Sequence, residues 1–222
     1  LAKNNIGLLY HLSYGGHPDY SGGWGSESYC KGLEIYACDF VKEAQKFGVK
    51  IAIECYNEWN LYLGIDPNMT SENAANVMMA LYKGVKKADP NAMVVIGDTA
   101  GSPLAEYEEI FKIFNGEKYM DALSIHIYPG KGEGSEEGSW MGYYNTTREL
   151  MDKYGYNDAE IWVTETGWST MTGMATEKQA AQRIARMAAQ MDAGAGCEKV
   201  FWYDFQCDGG SRDEREHNFG IV

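Results

Sequence analysis

The sequence predicts an α/β barrel, and three observations carry that prediction. Apolar, β-branched runs alternate with helix-like runs along the chain, which is the pattern of parallel βαβ units. Two of the strand-like runs lead into a carboxylate. Residues 49–55 precede Glu58 in Tyr-Asn-Glu-Trp-Asn, and residues 160–164 precede Glu165 in Thr-Glu-Thr-Gly-Trp. The C-terminal ends of parallel strands are where such a barrel carries its reactive groups. Finally, 222 residues suffice for one large core, and no repeat or linker divides them, so residues 1–222 read as one domain.

In order, strands are expected at 5–11, 49–56, 92–97, 121–127, 160–164 and 198–204, and helices at 32–47, 71–88, 103–115, 141–154 and 176–193. Ser71 before Glu72 and Thr176 before Glu177 supply N-terminal caps. Gly48 and Gly194 stand where a helix end favours positive φ. Ala180, Ile184, Met187, Ala188 and Met191 fall on one helical face, which packs on the barrel. Two long loops, 15–29 and 129–143, follow strands, and each holds one tryptophan, Trp24 or Trp140. Long loops in compact domains are usually functional or disordered. Each tryptophan is read either as a wall of a substrate cleft or as a loop anchor.

Composition narrows the function classes. A net charge of −13 disfavours nucleic acid, an anionic membrane surface and a polyanionic substrate, and leaves a neutral glycan compatible. No run of 18 apolar residues is present to span a membrane. The five cysteines, Cys30, Cys38, Cys55, Cys197 and Cys207, lack Cys-x-x-Cys spacing, so no metal site is expected. Cys55 reads as a small buried hydrophobe, and whether Cys30 pairs with Cys38 stays open. No Gly-rich phosphate loop or Ser-His-Asp order occurs, and no cofactor is required.

Two carboxylates in aromatic surroundings are what glycoside hydrolysis uses: an acid for the leaving oxygen, and a base or nucleophile at the anomeric carbon. Glu58 as the acid needs a pKa above its ordinary value of about 4.3, which burial beside Tyr56 and Trp59 and repulsion from Glu165 would supply. His126 and Tyr128 lie two apart and so point to one side of the strand end. Trp202 and Asp204 share a parity, with Trp202 the expected platform under the sugar and Tyr203 facing the helices. His11 ends the first strand as a candidate sugar contact. Glu54, inside its strand, reads as structural.

These segments resemble clan A of the glycoside hydrolases, the retaining (β/α)8 enzymes. Asn57-Glu58 after a strand resembles that clan's acid/base signature, and Thr164-Glu165-Thr-Gly-Trp168 its nucleophile segment. His126-Ile-Tyr128-Pro and Phe201-Trp202-Tyr203-Asp204 are similar to its sixth and eighth strand ends, and Arg215-Glu-His-Asn-Phe-Gly220 to the segment that follows. The resemblance implies a (β/α)8 TIM barrel reduced to about six βα units, a fragment lacking the first two strands and the last helix. It implies Glu58 as acid/base and Glu165 as nucleophile, with carboxyl groups about 5–6 Å apart. Asn57, His126, Tyr128, Trp168, Trp202, His11, Asp204, Trp24 and Trp140 would contact or frame an oligosaccharide or polysaccharide. It also implies a secreted, cell-surface or periplasmic protein. The alternative is a non-catalytic carbohydrate-binding barrel or an inactive fragment.

Overall fold

The computed structural model describes residues 1–12, 14, 16–54, 56–128, 135–191 and 197–222, with 135–139 described as backbone only. Its centre is one sheet of six parallel strands in sequence order: β1 (Leu8–His11), β2 (Ile51–Glu54), β3 (Met93–Ala100), β4 (Ala122–His126), β5 (Glu160–Thr166) and β6 (Lys199–Trp202). Each strand pairs in parallel with the next, leaving β1 and β6 as the two edges. A helix lies in each connection: α1 (Glu27–Gln45), α2 (Ser71–Ala88), α3 (Leu104–Phe114), α4 (Ser135–Lys153) and α5 (Glu177–Gln190). The chain is thus six strands of an α/β barrel, as the alternation of runs predicted.

Strand alternation divides the core into two layers. Outward-facing Ile53, Val94, Ile96, Leu123, Ile125, Ile161 and Val163 join the helix faces in one large apolar cluster. Inward-facing Ala52, Val95, Ala122 and Trp162 form a smaller one with Leu9, Met93 and Phe201. That inner layer borders a cavity of about 430 Å³. His11, Glu54, Ser124 and His126 continue the inward rows toward the C-terminal strand ends, so the polar residues sit at one mouth and the apolar ones at the other.

Several boundaries differ from expectation, each for a local reason. α1 starts five residues early because Ser26 caps it, its Oγ accepting the Tyr29 N–H. The cap of α2 is Thr70, whose Oγ1 accepts from Asn73, and not Ser71. Thr176 caps α5 as expected, in a reciprocal box with Gln179. β3 and β5 run on to Ala100 and Thr166, so Glu165 lies within its strand, while β6 stops at Trp202. Gly48 adopts φ +64°, whereas Gly194 and Cys55 fall outside the described residues. Cys30 and Cys38 both lie on α1 as free thiols.

The α1–α2 contact depends on Gly84. A Cβ there would stand 2.4 Å from the Glu34 carbonyl oxygen and 3.0 Å from the Ala37 Cβ. Backbone cannot yield as a side-chain tip can, so Gly84→Ala should cost about 1–3 kcal/mol despite its better helix propensity. A denaturation midpoint equal to or above that of the native chain would contradict this packing.

Candidate active site

The mouth is built by two slips in strand register. On β3, pairing with β4 shifts between Ile96 and Thr99, and Gly97 (φ +110°) and Asp98 (φ +47°) occupy the shift. The extra residue reverses the alternation, so Asp98 turns into the barrel and not toward the helices. A second shift brings Glu165 opposite His126, where plain alternation from Val163 would face it outward. Glu58 sits beyond β2 at φ +49°, and its N–H donates to the Asp98 carbonyl at 2.7 Å.

His126, only 4% exposed, is the hub. Its Nδ1 lies 2.9 Å from Glu58 Oε1 and 2.7 Å from Glu165 Oε2, and its Nε2 lies 2.8 Å from Asp98 Oδ1. The acceptor oxygens of the two glutamates and Nδ1 all fall within 4.8 Å of one another. Asp98 Oδ2 in turn meets His11 Nε2 at 2.8 Å. Both Asp98 contacts lie off the ideal N–H direction, which makes them ion pairs more than aligned hydrogen bonds.

Carboxylates meet both nitrogens of His126, so both nitrogens carry protons. Burial alone would lower the imidazole pKa, but Asp98, Glu165 and Glu58 outweigh it and push it up to about 11. His11 is raised too, chiefly by Asp98. Burial would raise the Asp98 carboxyl, yet the two imidazoles hold it below the usual range. Burial and the Glu165 charge push the Tyr128 hydroxyl up, and it is hydrogen-bonded to Glu165. Glu58, His126 and Glu165 are spaced as a divalent ion would require. A doubly protonated imidazole, however, has no lone pair at Nδ1, so this donor set suits a proton better than a metal.

Glu54 is buried below this group, and burial together with Asp98 pushes its carboxyl up to about 8. Its folded pKa is raised, so the folded chain keeps a proton that the unfolded chain loses above 4.5. The stability from this group is full below pH 4.5 and is lost as pH rises through about 8, at up to about 1.4 kcal/mol per pH unit. Glu54→Gln should therefore flatten the pH dependence of stability across that window and gain on the native chain at pH 8 relative to pH 5. Denaturant midpoints that fall in parallel for both chains would refute a protonated Glu54.

Four expected contacts, all tryptophans, are placed otherwise. Trp24 is buried against Tyr56 and Trp59, an anchor under the Glu58 segment and not a cleft wall. Trp140 is fully buried and donates from Nε1 to Gln190 Oε1 at 2.7 Å, because α4 begins early enough to include it. Phe201 faces the interior on Trp162, so Trp202 faces outward and stacks on Trp168 at 5.5 Å, and neither is a platform at the mouth. Trp168 also lies under Arg183 of α5. Asp204 lies beyond the end of β6, where strand parity no longer governs it. Tyr203, expected to face the helices, instead packs edge-on to Tyr128 at 6.5 Å and to Phe219 at 5.4 Å.

The structure does gather Glu58, Glu165, His126, Tyr128 and His11 at one mouth, with Asn57 exposed beside Glu58. Asp98 and Glu54 belong to the group although nothing in their sequence context marked Asp98, and strand position alone made Glu54 look structural. Arg215 adds its guanidinium over the Tyr128 ring at 5.3 Å.

The sequence profile described as glycosyl hydrolase catalytic core matches residues 24–218. The chain belongs to that family. Solved structures agree on the fold. A family 39 glycoside hydrolase from Bacteroides cellulosilyticus WH2 superposes with a TM-score of 0.69 at 24% identity over 89% of this chain. A glucosidase from Croceicoccus marinus gives 0.66 at 18% identity over 86%, and a family 39 β-xylosidase from Caulobacter crescentus 0.61 at 16% over 85%. The chain spans 42% of the length of each of these proteins. No curated protein matches the sequence. Among the described residues of this glycosyl hydrolase core, no helix is long and apolar enough to cross a membrane.

Proposed function

We propose that this chain carries the catalytic centre of a retaining glycoside hydrolase acting on a neutral β-linked glycan. The observation that carries the reading is the approach of the Glu58 and Glu165 oxygens to within 4.8 Å. Retaining enzymes hold their carboxyl groups about 5–5.5 Å apart, whereas inverting ones leave about 6.5–9.5 Å for a water. In the first step Glu165 attacks the anomeric carbon while Glu58 gives its proton to the departing glycosidic oxygen, forming a covalent glycosyl-enzyme. In the second, Glu58 takes a proton from water, which attacks the same carbon and frees Glu165. Tyr128 and His126 both donate toward Glu165, which holds its side chain in place at the mouth. Asn57 is suited to the sugar 2-hydroxyl and His11 to a neighbouring hydroxyl.

The acidic surface fits a neutral substrate, on general electrostatic grounds. With Trp24 and Trp140 buried, the aromatic support for an extended cleft is withdrawn. A 2-deoxy-2-fluoroglycoside with a good leaving group should label Glu165, as read by peptide mass spectrometry. Labelling of another residue would overturn the assignment. Failure to label with gluco-, xylo-, manno- and galacto-configured reagents would favour a carbohydrate-binding barrel without turnover. The proposal extends to residues 1–222 acting as part of one secreted, cell-surface or periplasmic catalytic domain.

A further inference from the structure

We propose that Asp98 is a positioning residue for the carboxylate pair, holding His126 doubly protonated with its Nδ1 edge turned to Glu58 and Glu165. The inference rests on the reading of that pair as the hydrolytic centre. Asp98 is 1% exposed, out of reach of any substrate, so its effect must pass through what it touches. It touches both sides of the site. Its side chain meets His126 Nε2 and His11 Nε2, each at 2.8 Å. Its carbonyl accepts the Glu58 N–H at 2.7 Å, and its own N–H donates to Ser124 Oγ at 2.7 Å.

The backbone bears a cost for this arrangement. A non-glycine residue at positive φ is disfavoured, though Asp tolerates it better than most, and such strain collects at functional sites. Gly97 beside it is forced, since a Cβ there would stand 2.4 Å from the Ser124 carbonyl oxygen. A solvated loop would accept any polar residue here. A buried anion aimed at two imidazoles has no packing purpose, because an unneeded buried charge destabilises.

Electrostatics supply the purpose. His126 is faced by His11 from β1, Glu54 from β2, Glu58 beyond β2, Asp98 from β3, Tyr128 beyond β4 and Glu165 from β5. Glu54 is protonated at neutral pH, and His11 and Tyr128 bring no negative charge. Asp98 is therefore the one anion in this set that is not itself assigned to bond making or breaking. When Glu58 is protonated to act as acid, Asp98 keeps His126 charged. An imidazolium between two carboxylates offsets the repulsion that would otherwise drive them apart.

The test is Asp98→Asn in the full chain, with ¹⁵N-labelled histidine followed by NMR and steady-state kinetics beside it. In the native chain both His126 nitrogens should stay protonated to at least pH 9. In the variant His126 should titrate at least about one pH unit lower, since one of its anionic partners is gone. The kcat should fall about 10–100-fold with KM within about threefold, and the alkaline limb of kcat should move to lower pH. An unchanged His126 titration overturns the proposal, and so does a stability loss that leaves the pH profile unmoved. Should the variant not fold, acid titration of the native chain decides. The Asp98 carboxyl and His126 Nε2 signals should shift in one coincident step, and independent steps would overturn the link. If no glycoside is hydrolysed at all, the hydrolytic reading fails while the NMR arm still judges Asp98.

Discussion

Glu165→Gln should lower kcat on every glycoside by about 10⁴-fold or more, with no dependence on the leaving group. Loss of a nucleophile removes the route itself and not just an aid to one step, which is why removing such a residue has effects of this size. The fold should tolerate the change. The Glu165 side chain is about one-fifth exposed, and the amide can still accept from Tyr128 and His126. Equal denaturation midpoints with abolished turnover are therefore the expected pair of results. Activity within tenfold of the native chain would show that Glu165 is not the attacking group.

Glu58→Ala should separate substrates by how much protonation they need. On natural glycosides, whose leaving groups are poor, the loss should be about 10²–10⁴-fold, the usual contribution of a general acid. On dinitrophenyl glycosides the first step should proceed nearly unimpaired, followed by slow release of the glycosyl-enzyme because water has lost its base. A burst of one equivalent of dinitrophenol and then a slow steady state is the expected trace. An equal loss on both substrate types, with no burst, would place the acid elsewhere. Asp98 offers no substitute, since it is buried and already engaged by two imidazoles.

Much of this site can be read in the sequence because its signals are local. Asn57-Glu58 and Thr164-Glu165 follow apolar runs, and period-two alternation alone puts His126 and Tyr128 on one side. The placement of aromatic residues is less legible. Trp24 and Trp140 lie in segments that look like open loops, yet Trp24 packs on Tyr56 and Trp59, and the early start of α4 sets Trp140 into the core. Trp202 faces the helices because Phe201 took the interior position, and Tyr203 lies just past the end of β6, where alternation stops. An aromatic in such a segment carries two equally good fates, and neighbours distant in the chain choose between them.

The sequence by itself determined the order of strands and helices, the two glutamates and the histidine between them, because backbone sterics and side-chain alternation act over a few residues. Only the tertiary structure decided that Asp98 turns inward and that Glu165 meets His126. Both depend on one-residue slips against a neighbouring strand, and such a slip reverses which face a side chain occupies. Register is set by pairing between strands far apart in sequence, so no local pattern records it. The same nonlocal pairing gives Glu54 its environment, a carboxyl raised to about 8 by burial and by an aspartate 44 residues away in the chain.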